Sequence, residues 1–314
     1  MNHMFTAIKK GRLLTGLVAV GAVVALAGCA SGDPLDTSST SGGDAAEGGA
    51  IVIGSQAYYS NEIIAEIYAQ ALEANDIEVE RQFNIGQRDA YLPALESGEV
   101  QLFPEYTGNL LQYYDPETTA KTSDDVYSAL AGALPEGLEV LDQAPATDQD
   151  SYNVTKEFSE SNGVTSLSDL ASVTTPLTLG GNSELQTRPY GPEGLLATYG
   201  VTVGFTPIED SGGPLTLQAL KDNQVQLVNI YSADPNIAAA GLVTLEDPEG
   251  LFLASNVVPL INTDAATPEV SDVINKVSAA LTAEDLVELN SQSQNDQESA
   301  DTIAKNWLEK VALF

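Results

Sequence analysis

The sequence predicts an α/β protein with two similar lobes. Short apolar strands alternate with amphipathic helices, a pattern typical of βαβ units and a parallel sheet. Residues 94–107, ALESGEVQLFPEYT, also align without a gap with residues 219–232, ALKDNQVQLVNIYS, at an offset of 125. A solenoid needs at least three such units, so two copies of helix, strand and tyrosine indicate two related lobes. Chance similarity in a chain rich in Ala, Leu and Val is the alternative.

The first lobe is predicted to open with a strand at 50–54 and an amphipathic helix at 61–74, whose isoleucines recur on one face. The elements that follow are a strand at 77–83, a helix at 89–97, a strand at 100–103, a helix at 124–134 and an extended segment at 138–141. Pro104 is expected to end the third strand, because proline has no N–H to donate. Glu105, Tyr106 and Thr107 would then lie beyond the carboxyl end of a strand, where open α/β sheets bind ligands.

The second lobe is predicted to begin near Tyr152. Its strands are expected at 177–179, 201–207, 225–230 and 243–245, with helices at 193–199 and 215–222. Two C-terminal helices, marked by periodic apolar residues, are expected to return to the first lobe. The predicted domains are therefore 50–150 plus 255–314 for the first lobe and 151–254 for the second. Two crossings, near residues 150 and 255, would form a hinge.

The first 28 residues have the pattern of a secretory signal, with a basic start followed by an apolar run that is short for a membrane span. The run ends in Leu26-Ala27-Gly28-Cys29, which resembles the bacterial lipobox, so Cys29 is the predicted lipidation site. An ordinary secretory signal with a chance cysteine is the alternative. Residues 29–49 are rich in Ser, Gly, Thr, Asp and Ala, and we expect them to form a flexible tether.

Composition excludes several functions. The chain has 45 acidic and 12 basic residues and a formal net charge of −33, which disfavours nucleic acid as a partner. Its single histidine, His3, lies in the predicted signal, and Cys29 is its single cysteine. Thiolate–imidazole catalysis, Ser–His triads, the usual zinc sites and an internal disulfide are therefore not expected, and no cofactor is predicted.

Several segments together resemble the glycine betaine/carnitine/choline binding proteins of osmoprotectant ABC transporters. They are, in order, GSQAYYSNEIIAE (54–66), GEVQLFPEYTGN (98–109), GGNSELQTRPYG (180–191), QVQLVNIYSAD (224–234) and LEDPEG (245–250). The resemblance implies a type II periplasmic-binding-protein fold with a ligand cleft between the lobes. It also implies a monomeric, non-enzymatic protein, anchored by lipid on the extracytoplasmic face of the bacterial membrane, that delivers a ligand to permease subunits.

The resemblance further implies a cage of tyrosines around a quaternary ammonium, with Tyr106, Tyr231 and Tyr152 at the matching positions. A trimethylammonium has no N–H to donate, so aromatic faces rather than polar acceptors must hold it. Arg188 matches the residue that binds the ligand's carboxylate, which a guanidinium can hold through two parallel hydrogen bonds.

The sequence departs from the family pattern at several positions. Gln56 stands where many members have lysine, Asn109 replaces a threonine, and Ser255 stands where some members have a further cage tyrosine. Tyr58, Tyr59 and Tyr91 are the candidates to replace the cage tyrosine that is missing at Ser255. Arg88 is unusual and could offer a second cationic contact, and Tyr190 replaces a common aspartate. The predicted ligand-binding residues are Tyr58, Gln56, Tyr91, Tyr106, Thr107, Asn109, Tyr152, Arg188 and Tyr231.

Two other functions stay open. The same scaffold could bind choline, ectoine or another cationic small molecule instead of a betaine, which the loss of lysine at Gln56 favours. A secreted hydrolase that uses Glu105 and Asp234 is the other, since paired carboxylates can cleave glycosidic bonds at separations of roughly 5–9.5 Å.

Overall fold

The structure is a computed structural model that describes residues 49–314. The predicted signal peptide, the lipidation site Cys29 and the tether up to residue 48 lie outside the described residues. Within the described range, no helix is long and apolar enough to cross a membrane.

Two five-stranded sheets, each the centre of one lobe, form the framework. The first lobe contains β1 (Ile51–Gln56), β2 (Val79–Gly86), β3 (Leu102–Tyr106), β4 (Leu138–Val140) and β10 (Val257–Asn262), in the order β2-β1-β3-β10-β4. The second lobe contains β5 (Asp150–Val154), β6 (Leu177–Gly181), β7 (Val203–Pro207), β8 (Leu227–Tyr231) and β9 (Val243–Thr244), in the order β7-β6-β8-β5-β9.

Helices cover the sheets. They are α1 (Tyr59–Glu73), α2 (Arg88–Glu96), α3 (Thr107–Tyr114), α4 (Ser123–Ala133), α5 (Lys156–Asn162), α6 (Pro192–Tyr199), α7 (Pro214–Lys221), α8 (Asn236–Ala239), α9 (Pro268–Ala280), α10 (Ala283–Gln294) and α11 (Ala300–Val311), with 3₁₀ helices at Leu167–Ser172 and Ser183–Thr187. The last three helices contact α1. Side chains alternate between the two faces of a strand, so Leu102 packs into the core around α1 and Phe103 into the core under α2 and α3.

Each sheet contains one strand that runs against its neighbours, so the predicted parallel sheet is wrong in this respect. β10 is antiparallel to β3 and β4, and β5 is antiparallel to β8 and β9. The registers give the reason, because Val257 pairs with Tyr106 and Asp150 pairs with Tyr231. Each of these strands enters its sheet directly from the other lobe, at the edge where the parallel strands end, and therefore runs the opposite way.

Pro104 lies inside β3 and does not end it, contrary to the prediction. It stands opposite Pro259 of β10. The Pro104 carbonyl accepts a hydrogen bond from Asn61 Nδ2 at 2.8 Å, and the Pro259 carbonyl accepts one from the Leu141 N–H at 3.0 Å. The carbonyl groups of the two prolines thus point away from each other, as in a non-hydrogen-bonded antiparallel pair. The missing N–H groups therefore remove no bond between β3 and β10.

The internal repeat has a structural counterpart in two glutamines. Gln101 precedes β3 and its Oε1 accepts a hydrogen bond from the Val52 N–H at 3.0 Å. Gln226 precedes β8 and its Oε1 accepts one from the Thr178 N–H, also at 3.0 Å. Each glutamine also donates its own N–H to the carbonyl of the same partner residue. The same side chain thus joins equivalent parallel strands in both lobes.

Two segments connect the lobes, residues 141–149 and residues 245–256, which we call the first and second crossover segments. They lie side by side, because Thr147 and Asn256 form an antiparallel bridge. The N–H of Asp148 also donates to the Ser255 carbonyl at 3.1 Å.

Candidate ligand-binding site

A pocket lies between the two lobes, where β1, β3 and β8 end. It encloses about 430 Å³ of space free of protein atoms, part of it open to solvent. Its lining combines phenol rings with amide and charged groups, contributed by Gln56, Tyr58, Gln87, Arg88, Tyr106, Asn109, Asp148, Glu184, Arg188, Tyr190 and Tyr231.

Tyrosines from both lobes form the wall of the pocket. Tyr106 ends β3 and Tyr231 ends β8, while Tyr58 precedes α1. The ring centroid of Tyr58 lies 5.0 Å from that of Tyr231 and 4.8 Å from that of Tyr59. Burial raises the pKa of Tyr58, Tyr106 and Tyr231 well above the usual value, so the three phenols are neutral at pH 7. Neutral, electron-rich faces suit a cation without N–H groups.

A buried ion pair adjoins the pocket, because the lining residue Arg88 pairs with the buried Glu105. Arg88 donates from Nε and Nη2 to the two carboxylate oxygens of Glu105, at 2.8 and 2.9 Å. Glu105 is fully buried and also accepts hydrogen bonds from the Tyr91 hydroxyl and from the Tyr106 N–H. Because Tyr106 follows directly in the chain, this network holds the start of α3 and the backbone of one wall tyrosine.

Tyr91 does not line the pocket, although we proposed it as a replacement for a missing wall tyrosine. Its ring is fully buried and stacks on Phe103, with centroids 3.9 Å apart. Its hydroxyl accepts a hydrogen bond from Gln56 Nε2 at 3.3 Å. Tyr91 therefore orients Gln56, which does line the pocket, and lies behind it.

Asn109 lines the pocket, but its side chain is hydrogen-bonded to other residues of the protein. Its Nδ2 donates to Asp150 at 2.6 Å and to the Tyr190 hydroxyl at 2.9 Å, and both partners belong to the second lobe. Its Oδ1 accepts a hydrogen bond from Ser255 Oγ at 2.7 Å. In this arrangement Asn109 joins the lobes instead of offering a free donor to a carboxylate.

Two further predicted site residues lie away from the pocket wall. Tyr152 is fully buried in the core of the second lobe, where its hydroxyl donates to the Tyr190 carbonyl and its ring packs edge-on against Phe252. Thr107 is also fully buried, and its hydroxyl bonds the second crossover segment, donating to the Ala254 carbonyl at 3.3 Å. Tyr152 follows Asp150 on the same face of β5, but two positions further into the sheet, which places it in the core.

Arg188 brings a cationic group to the second-lobe side of the pocket. It caps the end of the 3₁₀ helix Ser183–Thr187 and is half-buried. Its guanidinium carbon lies 6.0 Å from the ring centroid of Tyr113 on α3. Among residues 49–314 it forms no ion pair.

The carboxylates expected for a hydrolase do not face the pocket as a pair. Both oxygens of Glu105 are taken by Arg88. Asp234 accepts hydrogen bonds from the Tyr59 hydroxyl at 2.9 Å and from the Asn236 N–H at 2.7 Å. Neither residue lines the pocket.

Three pocket residues escaped the sequence reasoning: Gln87, Asp148 and Glu184. Gln87 follows β2, so the rule that ligands bind beyond strand ends could have found it. Asp148 lies two residues before the start of β5, close to the predicted first crossing, and its position there was the available signal.

Comparison with known proteins agrees with this architecture. Residues 49–310 match the family described as the substrate binding domain of the ABC-type glycine betaine transport system. The chain is 24% identical to the glycine betaine-binding protein YehZ of Escherichia coli, over 83% of this chain and 90% of that protein. It is 26% identical to the carnitine transport binding protein OpuCC of Listeria monocytogenes, over 84% of this chain and 87% of the relative.

A solved structure described as a glycine betaine/carnitine/choline ABC transporter superposes with a TM-score of 0.68 and 22% identity, covering 84% of this chain and 99% of that one. The predicted α/β fold with two lobes is thereby confirmed, and the matched family consists of substrate-binding domains of a transport system. The chain belongs to the family of substrate-binding domains of ABC-type glycine betaine transport systems.

Proposed function

We propose that this protein captures a quaternary-ammonium osmoprotectant of the glycine betaine type in the tyrosine-walled pocket and delivers it to the permease of an ABC importer. The observation that carries the proposal is the convergence of Tyr58, Tyr106 and Tyr231 from both lobes on one pocket that also contains Arg188. The rings would hold the trimethylammonium, and Arg188 would hold the carboxylate through its planar fork.

The energies are adequate for such a ligand. Each aromatic face contributes about 0.5–2 kcal/mol to a cation, more when the site is desolvated. Three faces therefore supply roughly 1.5–6 kcal/mol, whereas micromolar affinity requires about 8 kcal/mol. A charge-assisted pair with Arg188 and amide donors from Gln56 and Gln87 would provide the remainder.

Titration calorimetry with glycine betaine and glycine tests this proposal. The two ligands share a carboxylate and differ in the three methyl groups, so glycine is the matched control. We expect glycine betaine to bind and glycine to bind at least about 100-fold more weakly. The primary ammonium of glycine would lose its hydrogen bonds to water on entering the pocket, and aromatic faces do not replace them. Equal affinity for the two ligands would refute the cage.

Choline is a second candidate, and Asp148 is the observation that favours it. This carboxyl group lines the pocket close to the tyrosines, and in its ionised form it adds negative charge that suits a ligand with a net positive charge. Carnitine and ectoine belong in the same titration series, since each changes the distance or the nature of the cationic and anionic groups.

The location follows from residues outside the described part of the chain. We propose that Cys29 is acylated and that the protein acts on the extracytoplasmic face of the membrane. A Cys29→Ala variant should keep its ligand affinity but leave the membrane fraction after signal cleavage. Retention of the cleaved variant in that fraction would refute the anchor.

A further inference from the structure

Asp148 lines the pocket and is hydrogen-bonded to residues of both lobes. It lies in the first crossover segment, and its side chain is only 3% exposed. Its Oδ1 accepts a hydrogen bond from the Ala233 N–H, which follows β8, at 3.0 Å. Its Oδ2 accepts a longer one, 3.3 Å, from the hydroxyl of the wall residue Tyr58. Tyr58 thus presents its ring to the pocket while its hydroxyl holds the carboxyl group.

The groups around Asp148 are acidic or neutral. Tyr58 and Tyr59 face it from the start of α1, and Tyr106 faces it from the end of β3. Asp150 approaches from β5, and Tyr231 and Asp234 from the end of β8 and the turn beyond it. No lysine or arginine of residues 49–314 lies within 4.0 Å of its carboxylate.

Two further buried aspartates lie nearby, and each also accepts hydrogen bonds from protein groups. The side-chain amides of Asn109 and Asn229 each donate to a different oxygen of Asp150. Asp234 accepts from Tyr59 and from a backbone N–H. Of these three buried carboxyl groups, Asp148 is the one that lines the pocket. Because no lysine or arginine of residues 49–314 pairs with Asp148, a cationic ligand in the pocket would be the partner of its ionised form.

We propose that Asp148 is the counter-charge for the ligand's ammonium group, so that binding of the cation to the empty protein expels a proton from this carboxyl group to solvent. The inference rests on the proposed function and assigns a specificity-determining residue to the same pocket. In this exchange the neutral carboxyl group of Asp148 loses one proton to solvent and becomes a carboxylate beside the bound cation.

The protonation state of the empty protein is consistent with this exchange. Burial raises the pKa of Asp148 to about 7, and the nearby Asp234 and Asp150 add to the effect, although the hydrogen bonds from Ala233 and Tyr58 oppose it. A cation placed among the tyrosines favours the carboxylate and lowers this pKa again. If the protonated form does not bind the cation, the Kd at pH 5.5 should be up to roughly 30-fold weaker than at pH 8.5.

The test is calorimetric titration of choline and of glycine betaine at pH 5.5, 6.0 and 8.5, in pairs of buffers that differ in ionisation heat. We expect the parent protein to release about one proton per choline at pH 6.0. Asp148→Asn should release none, bind choline equally at both pH extremes, and bind it more weakly than the parent at pH 8.5. Asp234→Asn is the matched control, because Asp234 is similarly buried but lies outside the pocket wall. This variant should still release a proton, with the release shifted to slightly lower pH because one charge that raises the pKa of Asp148 is gone.

Binding of choline or glycine betaine with no proton release and the same Kd from pH 5.5 to 8.5 would overturn the inference and leave the proposed function standing. Failure of every quaternary ammonium to bind at any pH would overturn both. Should Asp148→Asn fail to fold, as judged by circular dichroism, the proton count of the parent protein decides the question.

Discussion

Glu105→Gln should strongly destabilise the protein, because it removes the negative partner of a buried guanidinium. Glu105 is fully buried and Arg88 is 7% exposed, and their fork joins two pairs of atoms at 2.8 and 2.9 Å. Glutamine keeps the shape of the side chain but leaves Arg88 as an uncompensated buried charge. Breaking a buried pair in this way costs about 3–5 kcal/mol, a large part of the roughly 5–15 kcal/mol by which domains are stable.

Urea denaturation followed by circular dichroism measures this cost, and a double-mutant cycle isolates its cause. Arg88→Met alone should also be destabilising, because it leaves the carboxylate unpaired. The double variant should recover at least about 2 kcal/mol relative to the sum of the single variants, since no uncompensated charge remains. A Glu105→Gln variant within about 1 kcal/mol of the parent, or strictly additive effects, would refute the view that the pair is a tightly coupled support of the pocket.

Three further predictions concern the pocket. Tyr106→Ala and Tyr231→Ala should each weaken quaternary-ammonium binding by about 1–3 kcal/mol in calorimetry, and Phe at either position should cost less because the ring face remains; folded Ala variants that bind like the parent would contradict this. Arg188→Ala should weaken glycine betaine strongly and choline little, and an equal loss for both would argue against a carboxylate contact. Ligand should close the hinge, so X-ray scattering should show a smaller radius of gyration in the complex, and an unchanged radius with proven binding would count against closure.

The sequence predicted most elements of the fold because their apolar periodicity is strong. The helix expected at 61–74 is present as Tyr59–Glu73, and the strand expected at 201–207 is present as Val203–Pro207. The antiparallel strands β5 and β10 were missed, since their direction depends on where the chain re-enters each sheet. Pro104 misled the prediction because its tolerance within a strand depends on the partner strand, which no local pattern reveals.

The sequence likewise predicted some residues of the candidate site and missed or misplaced others. Tyr106 and Tyr231 were reached from strand ends that repeat in both halves of the chain, and the structure places both at the pocket; their role in binding stays a prediction. Tyr152 was assigned by the family resemblance, and although it shares a face of β5 with Asp150, it lies two positions further into the sheet, where its ring packs in the core. Asp148 was missed among 45 acidic residues, because its position close to the predicted first crossing was a weak signal and its burial is visible only in the structure.

A crystal structure of the protein with glycine betaine tests the central claim most directly. We expect the quaternary nitrogen to lie within about 6 Å of the ring centroids of Tyr58, Tyr106 and Tyr231, the distance at which a cation is attracted to an aromatic face. The ligand's carboxylate should lie on the guanidinium of Arg188. A nitrogen bound away from these three rings, with the ligand held elsewhere between the lobes, would contradict the account.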